Sequence, residues 1–193
     1  KMKIKKLAFL STIFAVLLPM LVVATVVISY TYPTSTTKVS PQIYLTTGPE
    51  YTTAYDLGLI STTLSAGTPY NISSGTTITI NFTAGAAQEA LLNVLKIVNA
   101  TNGKADTEVS VYIEASLPSG ITMYASTSEL TASVSGSTIT VSGSGGASIS
   151  SISSSSYTTV VSAGTSWSTI YLGFLISSGA TGTGTIYIYY TVT

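Results

Sequence analysis

The chain offers few side chains that could perform chemistry. It has 193 residues and contains no histidine, cysteine or arginine. Without His or Cys there is no ordinary Ser-His or Cys-His nucleophile, and no zinc site with nitrogen or sulfur ligands. A Ser-Lys dyad at Lys96 or Lys104 is formally possible. Serine and threonine make up about a third of the chain, however, so chance alone would bring a serine near either lysine.

The carboxylates do not fit a known catalytic arrangement either. Glu108 and Glu114 fall on one face of a predicted strand, about 20 Å apart at ~3.3 Å per residue. Paired glycosidase carboxylates need a separation of ~5 to 9.5 Å. Asp106 and Glu108 could contribute to a calcium site, but no acidic loop with the EF-hand pattern is present. We therefore expect no catalysis, no bound metal and no cofactor.

Hydroxyl groups replace charges as the solvating groups of this chain. Serine and threonine total 63 residues, whereas charged residues make up 7% of the chain, against ~25% in typical proteins. Without residues 1–24, three lysines would face seven acids, a net charge of −4, which excludes a basic nucleic-acid-binding protein. Because hydroxyls do not titrate between strongly acid and neutral pH, we expect a surface suited to a harsh, acidic exterior and a stability nearly independent of pH.

Alternating apolar and polar residues predict many short strands. The clearest is Thr76–Thr83, which places Ile78, Ile80 and Phe82 on one face. Residues 87–92 are predicted as a short helix or an irregular crossing, and residues 142–156 as a loop between short strands. Other segments predict strands: Lys38–Thr46, Tyr55–Leu64, Val94–Val98, Asp106–Ser116, Ile121–Ala125, Leu130–Val134, Thr138–Val141, Ser166–Ile176 and Gly184–Thr193. Residues 42–193 are thus predicted to form an all-β domain, an Ig-like or Greek-key β-sandwich.

The N-terminus joins a basic head to a long apolar run. Four of the first six residues are lysines, and Leu7–Ile28 carries no charge. With small residues near its end, this pattern is typical of a secretory signal peptide over residues 1–24, cleaved after Ala24 to leave Thr25 first. The run is also long enough for a membrane helix, which needs ~20 residues. A retained anchor and a pilin-like stalk therefore stay open as alternatives.

A β-forming segment follows the proposed cleavage site. Over residues 25–33 the sequence reads TVVISYTYP, with Val26, Ile28, Tyr30 and Tyr32 on one face and mostly hydroxyl side chains on the other. Residues 34–41 are rich in Ser, Thr and Pro and are predicted to form a linker. The strand could fold back onto its own domain or leave to complete the sheet of a neighbour.

Three Asn-X-Ser/Thr sequons are candidate N-glycosylation sites. Asn81 falls on the outward face of its predicted strand, and Asn71 and Asn99 fall near predicted turns. All three are expected to be sterically available, and N-linked glycans there would shield exposed sheet surface.

The complete layout resembles the thread filament subunits of thermoacidophilic archaea. The similarity rests on a leader ending in VVA, the strand TVVISYTY, a short linker and a Cys-free, Ser/Thr-rich β-domain with sequons. This resemblance implies an extracellular, cell-surface homopolymer assembled by donor-strand complementation. Val26, Ile28, Tyr30 and Tyr32 would be the donor side chains, and contact with the membrane would be limited to the N-terminal segment before processing.

Other classes of structural protein stay open. The segment NVLKIVNATNGKADTEVSVYIEA is more distantly similar to bundling pili and biofilm fibre proteins. One alternative is a pilin-like subunit in which a helix over residues 7–29 forms the filament core. Another is a membrane-anchored cell-surface β-domain that binds a partner or a glycan. In each of these the chain is structural and not an enzyme.

Overall fold

The computed structural model describes residues 43–72, 76–100, 109–152 and 156–192. The chain divides into two units, Lys1–Lys38 and Val39–Thr193, and every described residue belongs to the second. The predicted signal peptide, N-terminal strand and linker, over residues 1–24, 25–33 and 34–41, therefore lie outside the described residues.

The described residues form thirteen strands, one short α-helix and one turn of 3₁₀-helix. The first half contains β1 Ile43–Thr47, α1 Tyr51–Asp56, β2 Ile60–Thr62, β3 Tyr70–Asn71, β4 Thr76–Thr83, β5 Glu89–Asn99 and β6 Val109–Ser116. The second half contains β7 Ile121–Ser126, β8 Leu130–Ser135, β9 Thr138–Gly143, the 3₁₀ turn Ser144–Gly146, β10 Ser150–Ile152, β11 Thr158–Val161, β12 Thr169–Ile176 and β13 Thr181–Val192.

These strands form two antiparallel sheets and a separate hairpin. The six-stranded sheet has the order β10-β7-β12-β5-β1-β3, and the five-stranded sheet has the order β11-β6-β13-β4-β2. Strands β8 and β9 pair only with each other. The two sheets share one apolar core, so the prediction of an all-β sandwich is confirmed.

The core consists of the inward side chains of the alternating strands. Along β4, the even-numbered residues are buried and the odd-numbered ones exposed, as the sequence predicts. Strand β12 likewise buries Ile170, Leu172, Phe174 and Ile176 completely. The rings of Phe82 and Phe174 meet edge to face, with 5.0 Å between their centroids, and this contact joins the two sheets within the core.

Three local predictions were wrong. The strand predicted over Tyr55–Leu64 is instead the end of α1 followed by the short strand β2. The segment predicted as a helix or irregular crossing over residues 87–92 enters the continuous strand β5 at Glu89. The loop predicted over residues 142–156 contains the 3₁₀ turn and strand β10.

The error in β5 has a physical cause. Residues such as Ala90, Leu91 and Leu92 have high helix propensity, but propensity is a weak preference that tertiary pairing overrides. Strand β12 pairs with β5 from Glu89 onward, and this pairing holds the segment extended. Asn93 then takes a positive φ of 51° and interrupts the register, so no simple alternation is left for the sequence to show.

Candidate functional site

The first half of β5 lacks a strand partner along one edge. On that side β1 pairs with β5 from Asn99 back to Leu95, where Thr47 is the last partner. The chain then turns away at Gly48 toward α1. The Gly48 N–H still donates to the Val94 carbonyl at 2.8 Å. No described strand pairs with residues 89–93 along this edge, although β12 pairs with the opposite edge. The six-stranded sheet therefore has an open position in line with β1.

A groove of about 680 Å³ lies beside this open edge. Its floor is the run of residues 88–94, and α1 and the β8–β9 hairpin each contribute lining residues. The remaining lining residues, which are largely apolar, are Glu50, Thr53, Ala54, Leu57, Leu59, Leu130, Thr131, Ala132, Val134 and Ile139. Leu57 and Val134 are 67% and 71% exposed. Large apolar side chains exposed together around one groove are typical of a binding surface.

The hairpin has two chemically different faces. The register of β8 and β9 places Leu130, Ala132, Val134, Ile139 and Val141 on one face. The opposite face carries only hydroxyl side chains, namely Thr131, Ser133, Ser135, Thr138, Thr140 and Ser142. The apolar face contributes Leu130, Ala132, Val134 and Ile139 to the groove. The hydroxyl face is therefore the one suited to water.

Side chains of β5 and of the segment before it fix the hairpin in place. The Leu130 N–H donates to Asn93 Oδ1 at 2.8 Å, and Asn93 Nδ2 donates to the Leu130 carbonyl at 2.9 Å. Near the hairpin tip, the Ile139 N–H donates to Gln88 Oε1 at 3.0 Å. The Asn93 side-chain amide bonds both the N–H and the carbonyl of Leu130, as the backbone of a neighbouring strand would. These bonds attach the hairpin at both of its ends.

Two glycines permit the close approach of these elements. A Cβ on Gly173 would lie 2.8 Å from Leu130 Cδ1 and 3.0 Å from the Leu91 carbonyl oxygen. At Gly48 a Cβ would collide with the Asn93 carbonyl. Only residues without a side chain allow β12 and the turn after β1 to pack against this part of β5.

One carboxylate oxygen in the groove has an unsatisfied hydrogen-bonding capacity. Glu89 lines the groove, and its Oε1 accepts a hydrogen bond from the Gly85 N–H at 3.2 Å. Its Oε2 is buried and has no hydrogen-bond partner among the described residues. A buried acceptor of this kind favours a ligand that brings an N–H or O–H donor.

Tyr51 anchors the helical side of the groove in the core. It is 3% exposed, and its ring stacks on that of Tyr55 with 5.9 Å between centroids. Burial raises the pKa of the Tyr51 phenol, and the neighbouring Tyr55 raises it further, whereas a hydrogen bond with the backbone of Thr62 opposes the shift. The phenol therefore stays neutral to a higher pH than a free tyrosine.

The three sequons lie in different surroundings. Asn71 on β3 and Asn81 on β4 are exposed. Thr183 Oγ1 and Asn81 Oδ1 lie 2.7 Å apart in a hydrogen bond. Asn99 at the end of β5 is only 5% exposed, so the prediction that it is sterically available was wrong, because β5 continues one residue further than predicted and carries this side chain into a buried position. Glycan occupancy at all three sites stays a prediction.

Several other sequence-predicted site residues are not placed by the structure. Lys104, Asp106 and Glu108 lie outside the described residues. Ala24 and Thr25 of the cleavage site and the donor residues Val26, Ile28, Tyr30 and Tyr32 lie outside the described residues. The groove was not predicted from the sequence, because it arises from the unequal lengths of β1 and β5. Within the described ranges, no group of three or more His, Cys, Asp or Glu side chains could hold a metal ion.

No helix in the described part of the chain is both long enough and apolar enough to cross a bilayer. No protein-family model matches the chain, and a search of the curated proteins finds no match. The fold and the groove are therefore the basis for a functional proposal.

Proposed function

We propose that the protein is the structural subunit of an extracellular homopolymeric filament. In this assembly, the N-terminal strand of residues 25–33 enters the groove beside β5 of the neighbouring subunit and extends its six-stranded sheet. The observation that carries the proposal is the open edge of β5 over residues 89–93, which lies beside an apolar groove. Unpaired strand edges beside apolar surface are sites at which another chain can add a strand.

The donor segment and the groove are chemically complementary. One face of the segment carries Val26, Ile28, Tyr30 and Tyr32, which would contact the apolar walls of the groove. Burial of four such side chains contributes roughly 6 to 12 kcal/mol before the costs of ordering and association. The backbone of the donor would pair with β5, and one of its donor groups could satisfy Glu89 Oε2.

The direction of the chain favours a filament over a closed dimer. Ile43 pairs with Asn99, at the end of β5 farthest from the groove, whereas the groove begins at Gln88. The ten steps between the first and the last of the eleven residues of β5 span about 33 Å at ~3.3 Å a step. The described chain thus enters β1 at one end of β5, and the groove lies toward the other. Contacts of this head-to-tail kind do not close and propagate as a fibre.

Such a filament would serve adhesion, contact between cells or biofilm formation. Its subunits would need no catalytic group, and N-linked glycans at exposed sequons such as Asn71 and Asn81 would protect the hydroxyl-rich surface. The low content of charged residues fits an exterior of acidic pH, where carboxylates lose their charge.

The proposal is tested by two matched substitutions in the donor strand of the full chain. Ile28→Asp places a charge on the apolar face of the segment, and Val27→Asp places the same charge on the opposite face. We expect Ile28→Asp to abolish filaments in electron micrographs of the cell-surface fraction and Val27→Asp to retain them. Filaments that tolerate both substitutions, or neither, would overturn donor-strand assembly.

N-terminal sequencing of the protein from the cell surface provides an independent test. A mature terminus at Thr25, or within a few residues of it, would free the donor strand. A terminus at or before Leu7 would retain the apolar segment and overturn the proposal in favour of a pilin-like stalk or a membrane anchor.

A further inference from the structure

The outer face of the six-stranded sheet carries one positive charge beside a tyrosine. Lys96 of β5 lies directly opposite Thr46 on β1 and Tyr171 on β12. Val98 projects to the same side two residues further along β5. We call Thr46, Lys96, Val98 and Tyr171 the lysine face; all four side chains are partly exposed. Lys96 is the only lysine or arginine among the described residues.

The outer face of the five-stranded sheet carries the opposite charge in the same kind of setting. Glu114 of β6 lies directly opposite Tyr187 of β13, and Tyr112 lies opposite Tyr189. The rings of Tyr112 and Tyr189 are 5.7 Å apart between centroids. Tyr187 and Tyr189 are each 37% exposed. We call Tyr112, Glu114, Tyr187 and Tyr189 the glutamate face.

We propose that the lysine face of one copy docks on the glutamate face of a second copy. Each face presents a charged side chain beside a cross-strand tyrosine, Lys96 with Tyr171 and Glu114 with Tyr187, and the two charges are opposite in sign. Docking of the two faces brings the Lys96 ammonium to the Glu114 carboxylate. The tyrosine rings surround this ion pair and reduce its exposure to water.

Charge favours the pairing of unlike faces over the pairing of two lysine faces or of two glutamate faces. Two lysine faces would oppose two ammonium groups, and two glutamate faces would oppose two carboxylates, so both self-pairings are repulsive. The surface has few other charged groups that could compensate, because charged residues are only 7% of the chain. Tyrosine-rich surfaces with few charges also have the composition of interface centres.

The arrangement leads to open lateral association. The two faces lie on opposite outer surfaces of the sandwich, so a copy that uses one of them still presents the other. A contact between unlike surfaces does not close on itself. The residues of both faces are separate from those that line the groove. Lateral association therefore does not depend on strand donation, and filaments that form by donation would associate side by side.

The contact can be tested by crosslinking the full chain. Separate preparations labelled with ¹⁴N and ¹⁵N are mixed and treated with a carbodiimide, which joins a lysine to a carboxylate only at direct contact. We expect mass spectrometry to find Lys96–Glu114 crosslinks of mixed isotope composition, which report contact between separately prepared molecules or filaments. Mixed crosslinks that join Lys96 only to other carboxylates would overturn the proposal.

Charge exchange provides the second test. Lys96→Glu and Glu114→Lys should each weaken lateral association, measured by low-speed sedimentation, about tenfold or more, because each creates a like-charge contact. The double variant with both substitutions should restore it. Asp56→Lys, an exposed site at the end of α1, makes the same acid-to-lysine change outside both faces and should have no effect. Single variants that match this control, or a double variant no better than the singles, would overturn the contact.

Discussion

The backbone of Leu130 forms both of its outward hydrogen bonds with the side chain of Asn93. The Leu130 N–H lies 2.8 Å from Asn93 Oδ1, and Asn93 Nδ2 lies 2.9 Å from the Leu130 carbonyl oxygen. Asn93 is 8% exposed and has a φ of 51°. A bend in β5 thus presents an amide where a neighbouring strand would present its backbone. This relationship fixes the hairpin that forms one wall of the groove.

Substitutions at Asn93 separate the hydrogen bonds from the backbone conformation. Asn93→Gly keeps the positive φ accessible but removes the amide, which orphans the Leu130 N–H and carbonyl, and we expect a loss of roughly 1 to 3 kcal/mol of unfolding free energy. Asn93→Ala adds the strain of a left-handed residue, about 1 kcal/mol more. The unfolding free energy measured in urea should therefore be highest for the native chain, lower for Asn93→Gly and lowest for Asn93→Ala. Equal stability of the two variants would contradict the conformational part of this prediction.

Gly173 should not tolerate a side chain. A Cβ at this position lies 2.8 Å from Leu130 Cδ1 and 3.0 Å from the Leu91 carbonyl oxygen, so Gly173→Ala should lower the unfolding free energy by roughly 1 to 3 kcal/mol through overpacking. Truncation of Leu130 to Ala relieves the first contact but not the second. In a double-mutant cycle measured by urea unfolding, we expect a favourable coupling between Gly173→Ala and Leu130→Ala. If the changes in unfolding free energy were strictly additive, residue 173 and Leu130 would not be in steric conflict.

The sequence predicts the regular strands and misses the features that form the groove. Strands β4, β12 and β13 were predicted because their inward side chains alternate without interruption and each contributes to the core. The irregular register of β5 at Asn93 could not be predicted from alternation, because a residue with positive φ interrupts the alternation of inward and outward side chains. The open edge is a difference in length between two paired strands, which no single segment encodes.

The raised pKa of Tyr51 predicts a loss of stability at alkaline pH. The folded protein holds this phenol neutral because it is buried, whereas the unfolded chain ionises it near its ordinary pKa of 10.0. Between those two pKa values the native state binds more protons than the unfolded state, so the unfolding free energy falls as the pH rises. Below pH 10 the neutral Tyr51 phenol makes its full contribution to the unfolding free energy. Tyr51→Phe should therefore show a shallower loss of stability above pH 10 in urea unfolding, and an unchanged slope would contradict this assignment.

The different exposure of Asn81 and Asn99 predicts unequal glycan occupancy at these two sequons. Asn81 is exposed on the outer face of β4, and a glycan there extends into solvent. A glycan on Asn99 would force its side chain out of a buried position at the end of β5. Peptide mapping by mass spectrometry of the folded protein from a glycosylating host should find glycan on Asn81 and not on Asn99. Comparable occupancy at both sites would contradict the prediction.

Two adjacent hairpin residues provide a test of the groove as the acceptor. Val134 and Ser133 are both exposed and lie on opposite faces of β8, and only Val134 lines the groove. Because Val134 is 71% exposed, Val134→Asp should leave the fold stable, yet it places a charge where the apolar side chains of a bound strand would lie. We expect Val134→Asp to raise the protein concentration needed for filament growth about tenfold or more, since burial against one valine contributes ~1.5 kcal/mol or more. Ser133→Asp should leave growth unchanged.

The outcome of this comparison is distinct from that of the donor-strand test. If Ile28→Asp abolishes filaments while Val134→Asp and Ser133→Asp behave alike, strand donation is correct and the acceptor lies elsewhere on the domain. If Val134→Asp alone impairs growth, the groove receives the strand. Because both hairpin positions are exposed and receive the same charge, a general effect of that charge on solubility or stability would affect the two variants equally, and their difference reports the groove itself.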